Sequence, residues 1–159
     1  MRHVVVMTMT ASIGLVAIFL VDALNLFYIS LLGEKELAAA IGYAGTLLFF
    51  LISTAIGMTI GAGALVSRHL GAGDRDEAAK DGGTALLLIV IIISALVSLV
   101  WFNTRPLLGL LGAAGDTLDI ADHFLKIVLP STTVMAVGMG ASGILRGVGD
   151  ARRAMYVTL

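Results

Sequence analysis

The chain has 159 residues, of which 58% are hydrophobic and 13% charged, with 10 Lys and Arg against 11 Asp and Glu residues. A mean hydropathy of +1.02 lies far outside the range of soluble globular proteins and indicates an all-α integral membrane protein. The balanced charge gives no sign of a nucleic-acid partner, and the absence of cysteine excludes disulfides, thiolate catalysis and cysteine-based metal sites.

Long apolar segments recur along the chain, each near or above the roughly 20 residues that a spanning helix needs. They predict four transmembrane helices within a single partial transmembrane domain over 1–159, at about 4–32, 37–67, 82–104 and 124–145. The sequence turns apolar again at 151–159, which we interpret as the first turns of a truncated fifth helix.

The positions of the Lys and Arg residues predict the orientation of these helices. Seven of them fall on the side of the N-terminus and three on the opposite side. Because positive charge is enriched in cytoplasmic loops, the N-terminus is expected in the cytoplasm of a multi-pass protein of the cell (inner) membrane.

The first apolar segment contains one carboxylate, Asp22, and one amide, Asn25. An acid in the centre of a spanning helix costs roughly 2.5 to 3.5 kcal/mol on insertion scales, so it is seldom kept without a role. Asn25 lies three residues later, about one turn along the same helix face, where it can hydrogen-bond beside the carboxylate. We therefore interpret the two residues as one ion-coupling site.

Small and weakly polar residues form a stripe along the second segment. Such a stripe permits close helix contact, and packing within one subunit is favoured over a dedicated dimer face. Thr46 and Ser53 are the candidates in this segment for lining a substrate path. The stripe consists of Gly42, Thr46, Ser53, Gly57 and Gly61.

The stretch at 67–80 is the most polar in the sequence. Its Gly71-Ala72-Gly73 run follows no strand and precedes no Gly-Lys-Ser/Thr, so a phosphate loop is not indicated. Asp74 is a plausible N-cap for a helix that leads into the third segment, and Glu77, three residues on, would complete a capping box. The sequence Gly147-Val148-Gly149-Asp150 repeats the pattern of Gly71-Ala72-Gly73-Asp74, which hints at repeated helix pairs.

The third segment is apolar all round and is expected to face lipid over much of its surface, with Trp101 as an interfacial anchor. In the fourth segment Pro130 frees a backbone carbonyl, which the hydroxyls of the following Ser131-Thr132-Thr133 run could satisfy. Met135 and Met139 form a soft apolar face that suits either a core or an adaptable pocket. Thr132, Met135 and Met139 complete the candidate substrate-lining set.

Catalytic chemistry is not indicated. His3, His69 and His123 are scattered, without the spacing of a zinc site, and Asp116, Asp119 and Asp122 lack the pattern of a calcium loop. We therefore expect no enzyme activity, no metal and no cofactor apart from a coupling ion, a proton or sodium.

Four motifs in order resemble the multidrug and toxic compound extrusion (MATE) family. They are the run from Leu32 to Ala39, the segment end Gly63-Ala64-Leu65-Val66-Ser67-Arg68, the loop Gly71-Ala72-Gly73-Asp74, and Leu145-Arg146-Gly147-Val148-Gly149-Asp150. The resemblance implies a twelve-helix antiporter with two six-helix lobes that expels drugs or organic cations in exchange for protons or sodium. This chain would form the N-terminal third of such a protein, a partial N-lobe with helices 1 to 4 and the start of helix 5.

The chain departs from the family pattern in its first segment. The family acid commonly lies eight residues before the Gly of the Leu-Gly turn, and counting back from Gly33 reaches Asn25 rather than Asp22. An early proline common in the family is also missing there. The expected partners are the lipid bilayer, a small-molecule substrate, and either the remainder of the transporter or a second copy. Two alternatives remain, namely a small four-helix transporter acting as a dimer and a non-transporting truncated membrane protein.

Overall fold

The computed structural model describes residues 35–150, together with residues 16, 19–21, 23–25, 27, 28 and 154, which are helical. The continuous part consists of three long helices and one short one. Their bounds are Lys35–Gly71 (α1), Arg75–Phe102 (α2), Thr104–Leu110 (α3) and Gly115–Gly147 (α4).

Within the described residues, the three long helices α1, α2 and α4 are long and apolar enough to cross a membrane. They correspond to the second, third and fourth predicted segments. Most of the first segment, at 4–32, and of the stub at 151–159 lies outside the described residues. The described residues thus have the helical architecture expected of a membrane protein, while the number of four spanning helices and the orientation stay predictions.

The helix α2 begins at Arg75 rather than near Gly82, because the polar stretch is part of the helix. Asp74 caps it as predicted, and its Oδ1 accepts a hydrogen bond from the Glu77 backbone N–H at 3.1 Å. The other half of a capping box is missing, since the Glu77 carboxylate pairs with Lys80 Nζ at 3.3 Å. The Asp74 N–H donates instead to the His69 carbonyl at 3.0 Å.

The two Gly-Asp turns predicted as a repeat have the same backbone hydrogen bonds. Asp74 and Asp150 each donate to a carbonyl five residues earlier, at 3.0 Å in both turns. The preceding glycines, Gly73 and Gly149, have φ values of +83° and +87°. This is the Schellman arrangement, which requires a left-handed residue that glycine adopts without strain. We call the end of the bundle that holds both turns the paired-turn end, and the opposite end the α3 end.

The helices α1 and α4 touch through their backbones near the paired-turn end. A Cβ added at Gly63 would lie 2.9 Å from the Gly143 carbonyl oxygen, and one added at Gly147 would lie 2.6 Å from the Gly63 oxygen. Only glycine permits so close a crossing. The predicted stripe does not form this contact, since Gly57 and Gly61 are exposed and meet nothing within 4 Å.

The apolar core lies among the three long helices. Its largest fully buried side chains include one from α1, two from α2 and two from α4, namely Leu51, Ile89, Ile93, Leu125 and Leu129. On α2 the buried positions recur about every four residues, which leaves the opposite side apolar and exposed. This fits the expectation that the third segment faces lipid over much of its surface.

Candidate functional site

The structure leaves the predicted ion-coupling pair untested. Asp22 lies outside the described residues, whereas Asn25 is helical and exposed. Phe19 and Phe27, which flank the pair in sequence, are also exposed, at 71% and 59%. The assignment of Asp22 and Asn25 to ion coupling therefore stays a prediction from the sequence.

The five predicted substrate-lining residues occupy different environments. Thr46 and Ser53 are exposed on α1, and the Thr46 hydroxyl donates to the Gly42 carbonyl of its own helix at 3.0 Å. On α4, Thr132 is buried and Met135 is 54% exposed. Met139 is half-buried. Among the described residues no hydrogen bond joins the α1 pair to the α4 residues, so a common site for all five stays a prediction.

A charged cluster at the α3 end contains a buried carboxylate. The Asp122 side chain, 8% exposed, accepts hydrogen bonds from Arg105 Nε at 3.2 Å and Lys126 Nζ at 2.9 Å. It also accepts one from the hydroxyl of Thr104, which is itself buried. Arg105 forms a second ion pair with Asp119. Two cations thus balance two carboxylates, and the cluster ties α3 to the first turns of α4.

Part of this cluster has a local signal in the sequence. Asp122 and Lys126 are four residues apart on one helix, a spacing that places their side chains together. The contribution of Arg105, seventeen residues before Asp122, has no such signal. Within the described residues, no three His, Asp or Glu side chains group as they would to hold a metal ion.

A polar groove of about 450 Å³ lies between α1 and α4 at the paired-turn end. Its lining includes Thr59, Ser67 and Arg146 beside the glycines of the crossing. Thr59 is buried, and its hydroxyl has no hydrogen-bond partner in the described structure. Other threonines of α1 bond to their own helix, as Thr54 does to the Phe50 carbonyl at 2.9 Å. The Thr59 hydroxyl is thus an unsatisfied buried group beside the crossing of α1 and α4.

The sequence model of the MatE family matches residues 4–159. A FAD transporter of Shewanella oneidensis is 30% identical over 154 residues, 96% of this chain and 34% of that protein. The multidrug export protein MepA of Staphylococcus aureus is 29% identical over 145 residues, 86% of this chain and 30% of that protein. The chain therefore spans about a third of the length of these curated relatives.

A solved structure agrees with the sequence comparisons. The crystal structure of MATE in complex with MaD3S superposes with a TM-score of 0.74 at 27% identity, covering 77% of this chain and 28% of that chain. Both kinds of similarity extend over most of the chain and point to the same family. This chain belongs to the MatE family, the multidrug and toxic compound extrusion proteins.

Proposed function

We propose that this chain forms part of a transporter that exports small organic molecules across the membrane in exchange for protons or sodium. The observation that carries the proposal is the MatE match over residues 4–159. The structural likeness to a MATE crystal structure, with a TM-score of 0.74, also supports it. Since the chain spans about a third of its relatives, either the rest of such a transporter or a second copy would complete the substrate path.

Asp22 and Asn25 are the residues that we propose for ion coupling. A carboxylate within an apolar segment releases a proton or binds a cation only when its surroundings change, and this links ion movement to helix packing. Neutralising it in Asp22→Asn should abolish proton-driven or sodium-driven uptake into inside-out vesicles, in which export from the cell is measured as uptake. Asp116→Asn is a matched control, because Asp116 is an exposed acid in the first turn of α4. Equal coupled export by the wild type and Asp22→Asn would contradict the coupling role.

Two classes of substrate have support among the relatives. The likeness to MepA favours drugs or organic cations, whereas the likeness to the FAD transporter favours a flavin nucleotide. Uptake of a cationic dye and of FAD into inside-out vesicles, measured side by side, separates the two. We propose organic cations as the substrates, because multidrug export is the activity that the MatE resemblance implied. Uptake of FAD without uptake of the dye would contradict this choice.

We propose Thr46, Ser53, Thr132, Met135 and Met139 as residues that line the substrate path. The exposure of Thr46, Ser53 and Met135 supports contact with a substrate. Replacing Met135 by Ala should change the relative uptake of different dyes, since methionine adapts its shape to its ligands. A uniform loss of uptake for every dye would instead indicate a general structural defect.

The orientation that we propose places the N-terminus and the paired-turn end in the cytoplasm of an inner-membrane protein. The chain has no cysteine, so single cysteines can be introduced without background labelling. Ala72 and Ala114 are exposed positions at the paired-turn end and the α3 end. A membrane-impermeant thiol reagent added to intact cells should label Ala114→Cys and leave Ala72→Cys unlabelled. The opposite pattern would invert the topology.

A further inference from the structure

The helix α4 contains a proline that interrupts its hydrogen bonding. In an α-helix each backbone N–H donates to the carbonyl four residues earlier, so the N–H of an ordinary residue at position 130 would donate to the Lys126 carbonyl. Pro130 has no N–H, and its ring also crowds that carbonyl. The backbone oxygen of Lys126 therefore lacks its intrahelical donor and needs a hydrogen-bond donor from outside its own helix.

Trp101 supplies the missing donor from a different helix. Its indole Nε1–H donates to the Lys126 carbonyl oxygen at 3.3 Å. Two of the hydroxyls that follow the proline bond elsewhere, because Ser131 and Thr132 both donate to the Val128 carbonyl, at 2.7 and 3.4 Å. The end of α2 thus completes the hydrogen bonding of α4 at the interior position where Pro130 provides no N–H.

The two parts of α4 on either side of Pro130 are held by different neighbours. Before the proline, Asp122 bonds to Thr104 and Arg105 of α3, and the Lys126 ammonium closes the same cluster. After the proline, Gly143 lies against α1, where a Cβ would meet the Thr59 carbonyl oxygen at 2.9 Å. Pro130 itself is exposed, so no close packing fixes its ring. The helix is therefore anchored on both sides of its weakest point.

We propose that Trp101 is a latch for a hinge in α4 at Pro130. While the indole N–H bonds to Lys126, the two parts of α4 remain aligned; when this bond opens, α4 bends at the proline. The geometry of the described residues carries this inference, and it does not depend on the proposed transport activity. Trp101 is a positioning residue in this scheme, since it acts on the backbone of α4 alone.

A double-mutant cycle tests the latch in the purified protein, with unfolding by SDS in mixed micelles followed by circular dichroism. Trp101→Phe keeps an aromatic ring and removes the donor, and should lower the folded-to-unfolded ratio about fivefold, the effect of one typical hydrogen bond. In a Pro130→Ala background the same substitution should change the ratio less than about twofold, because the alanine restores the intrahelical N–H. Equal losses in both backgrounds would overturn the latch.

Pro106→Ala is the matched control for removing a proline. Pro106 lies in the first turn of α3, where a backbone N–H has no intrahelical partner. In this background Trp101→Phe should retain its full fivefold effect. If Trp101→Phe does not fold by itself, the latch requires that adding Pro130→Ala restores folding, and failure of the double variant refutes it.

The single tryptophan offers a direct readout of the bond itself. Since the chain has one Trp, a ¹⁵N-labelled sample gives one indole N–H signal. Pro130→Ala should move this signal upfield and speed its exchange with deuterium, because the indole loses its carbonyl partner. Pro106→Ala should leave the position of the indole signal and its exchange rate unchanged. An unchanged indole signal in Pro130→Ala would mean that Trp101 and Pro130 do not share the Lys126 carbonyl.

The hinge can be measured with spin labels at cysteines introduced at Ala114 and Val148, two exposed positions at the ends of α4. A straight helix between them spans about 50 Å, which pulsed electron resonance resolves. Trp101→Phe should broaden the distance distribution toward shorter values, and Trp101→Phe with Pro130→Ala should narrow it again. A distribution that stays narrow in Trp101→Phe would refute the hinge.

Discussion

Removing the carboxylate of Asp122 should destabilise the protein far more than removing that of Asp119, although both pair with Arg105. The Asp122 side chain is 8% exposed, whereas that of Asp119 is 61% exposed. Asp122→Ala leaves the hydroxyl of Thr104, a residue 2% exposed, without its acceptor. An unsatisfied buried group costs about 1–3 kcal/mol. Losing the carboxylate costs the two cations less free energy, because Arg105 and Lys126 are 60% and 45% exposed and water can solvate them.

We therefore expect Asp122→Ala to lower the free energy of unfolding by about 2–4 kcal/mol, and Asp119→Ala by less than about 1 kcal/mol. Unfolding by SDS in mixed micelles, followed by circular dichroism, measures both. Asp122→Asn keeps an oxygen that can accept from Thr104, so it should recover part of the loss. Equal shifts for Asp122→Ala and Asp119→Ala would show that burial of the cluster does not determine its contribution.

Three further substitutions test the packing and the turns by the same unfolding measurement. Gly143→Ala should cost about 1–3 kcal/mol because its Cβ would meet the side chain and backbone of Thr59. Gly138→Ala, which meets nothing within 4 Å inside the same helix, should be neutral or stabilising, and an equal loss in both variants would contradict the close crossing. Gly73→Ala should cost about 1–2 kcal/mol, because alanine is strained at the Gly73 φ of +83°. Gly71→Ala, whose Cβ would meet nothing within 4 Å, should cost little. Equal losses of stability in the two variants would exclude backbone strain as the cause. Thr59→Val should be neutral or stabilising, because it removes a buried hydroxyl without a partner, and a clear loss would reveal a bond that this hydroxyl makes.

Local sequence signals predicted the features that depend on a few consecutive residues. The cap at Asp74 follows from a side-chain oxygen placed before an apolar helix, and its bond to the Glu77 N–H is present. The repeated Gly-Asp turn follows from glycine at a position that needs positive φ. The interruption at Pro130 follows from its missing N–H. Each of these rests on local backbone chemistry, which the sequence states directly.

Contacts between helices could not be predicted in the same way. The glycine stripe of Gly57 and Gly61 looked suited to packing, yet the close crossing uses Gly63 and Gly143. The rotation of α1 about its axis decides whether Gly57 and Gly61 or Gly63 faces α4. Likewise, the donor to Lys126 is Trp101, twenty-five residues away, where the sequence suggested neighbouring hydroxyls. The relative rotation and height of two helices decide such pairings.

The sequence by itself determined that this is a helical membrane protein of the MatE family, where its apolar segments lie and how several of them end. These properties follow from composition, local caps and motifs, each of which acts within a few residues. The tertiary structure alone decided which glycines touch, that Asp122 is buried among three donors, and that Trp101 completes α4 at Pro130. Those features depend on side chains from separate helices meeting in space, because a buried polar group must find its partner wherever the packing places one.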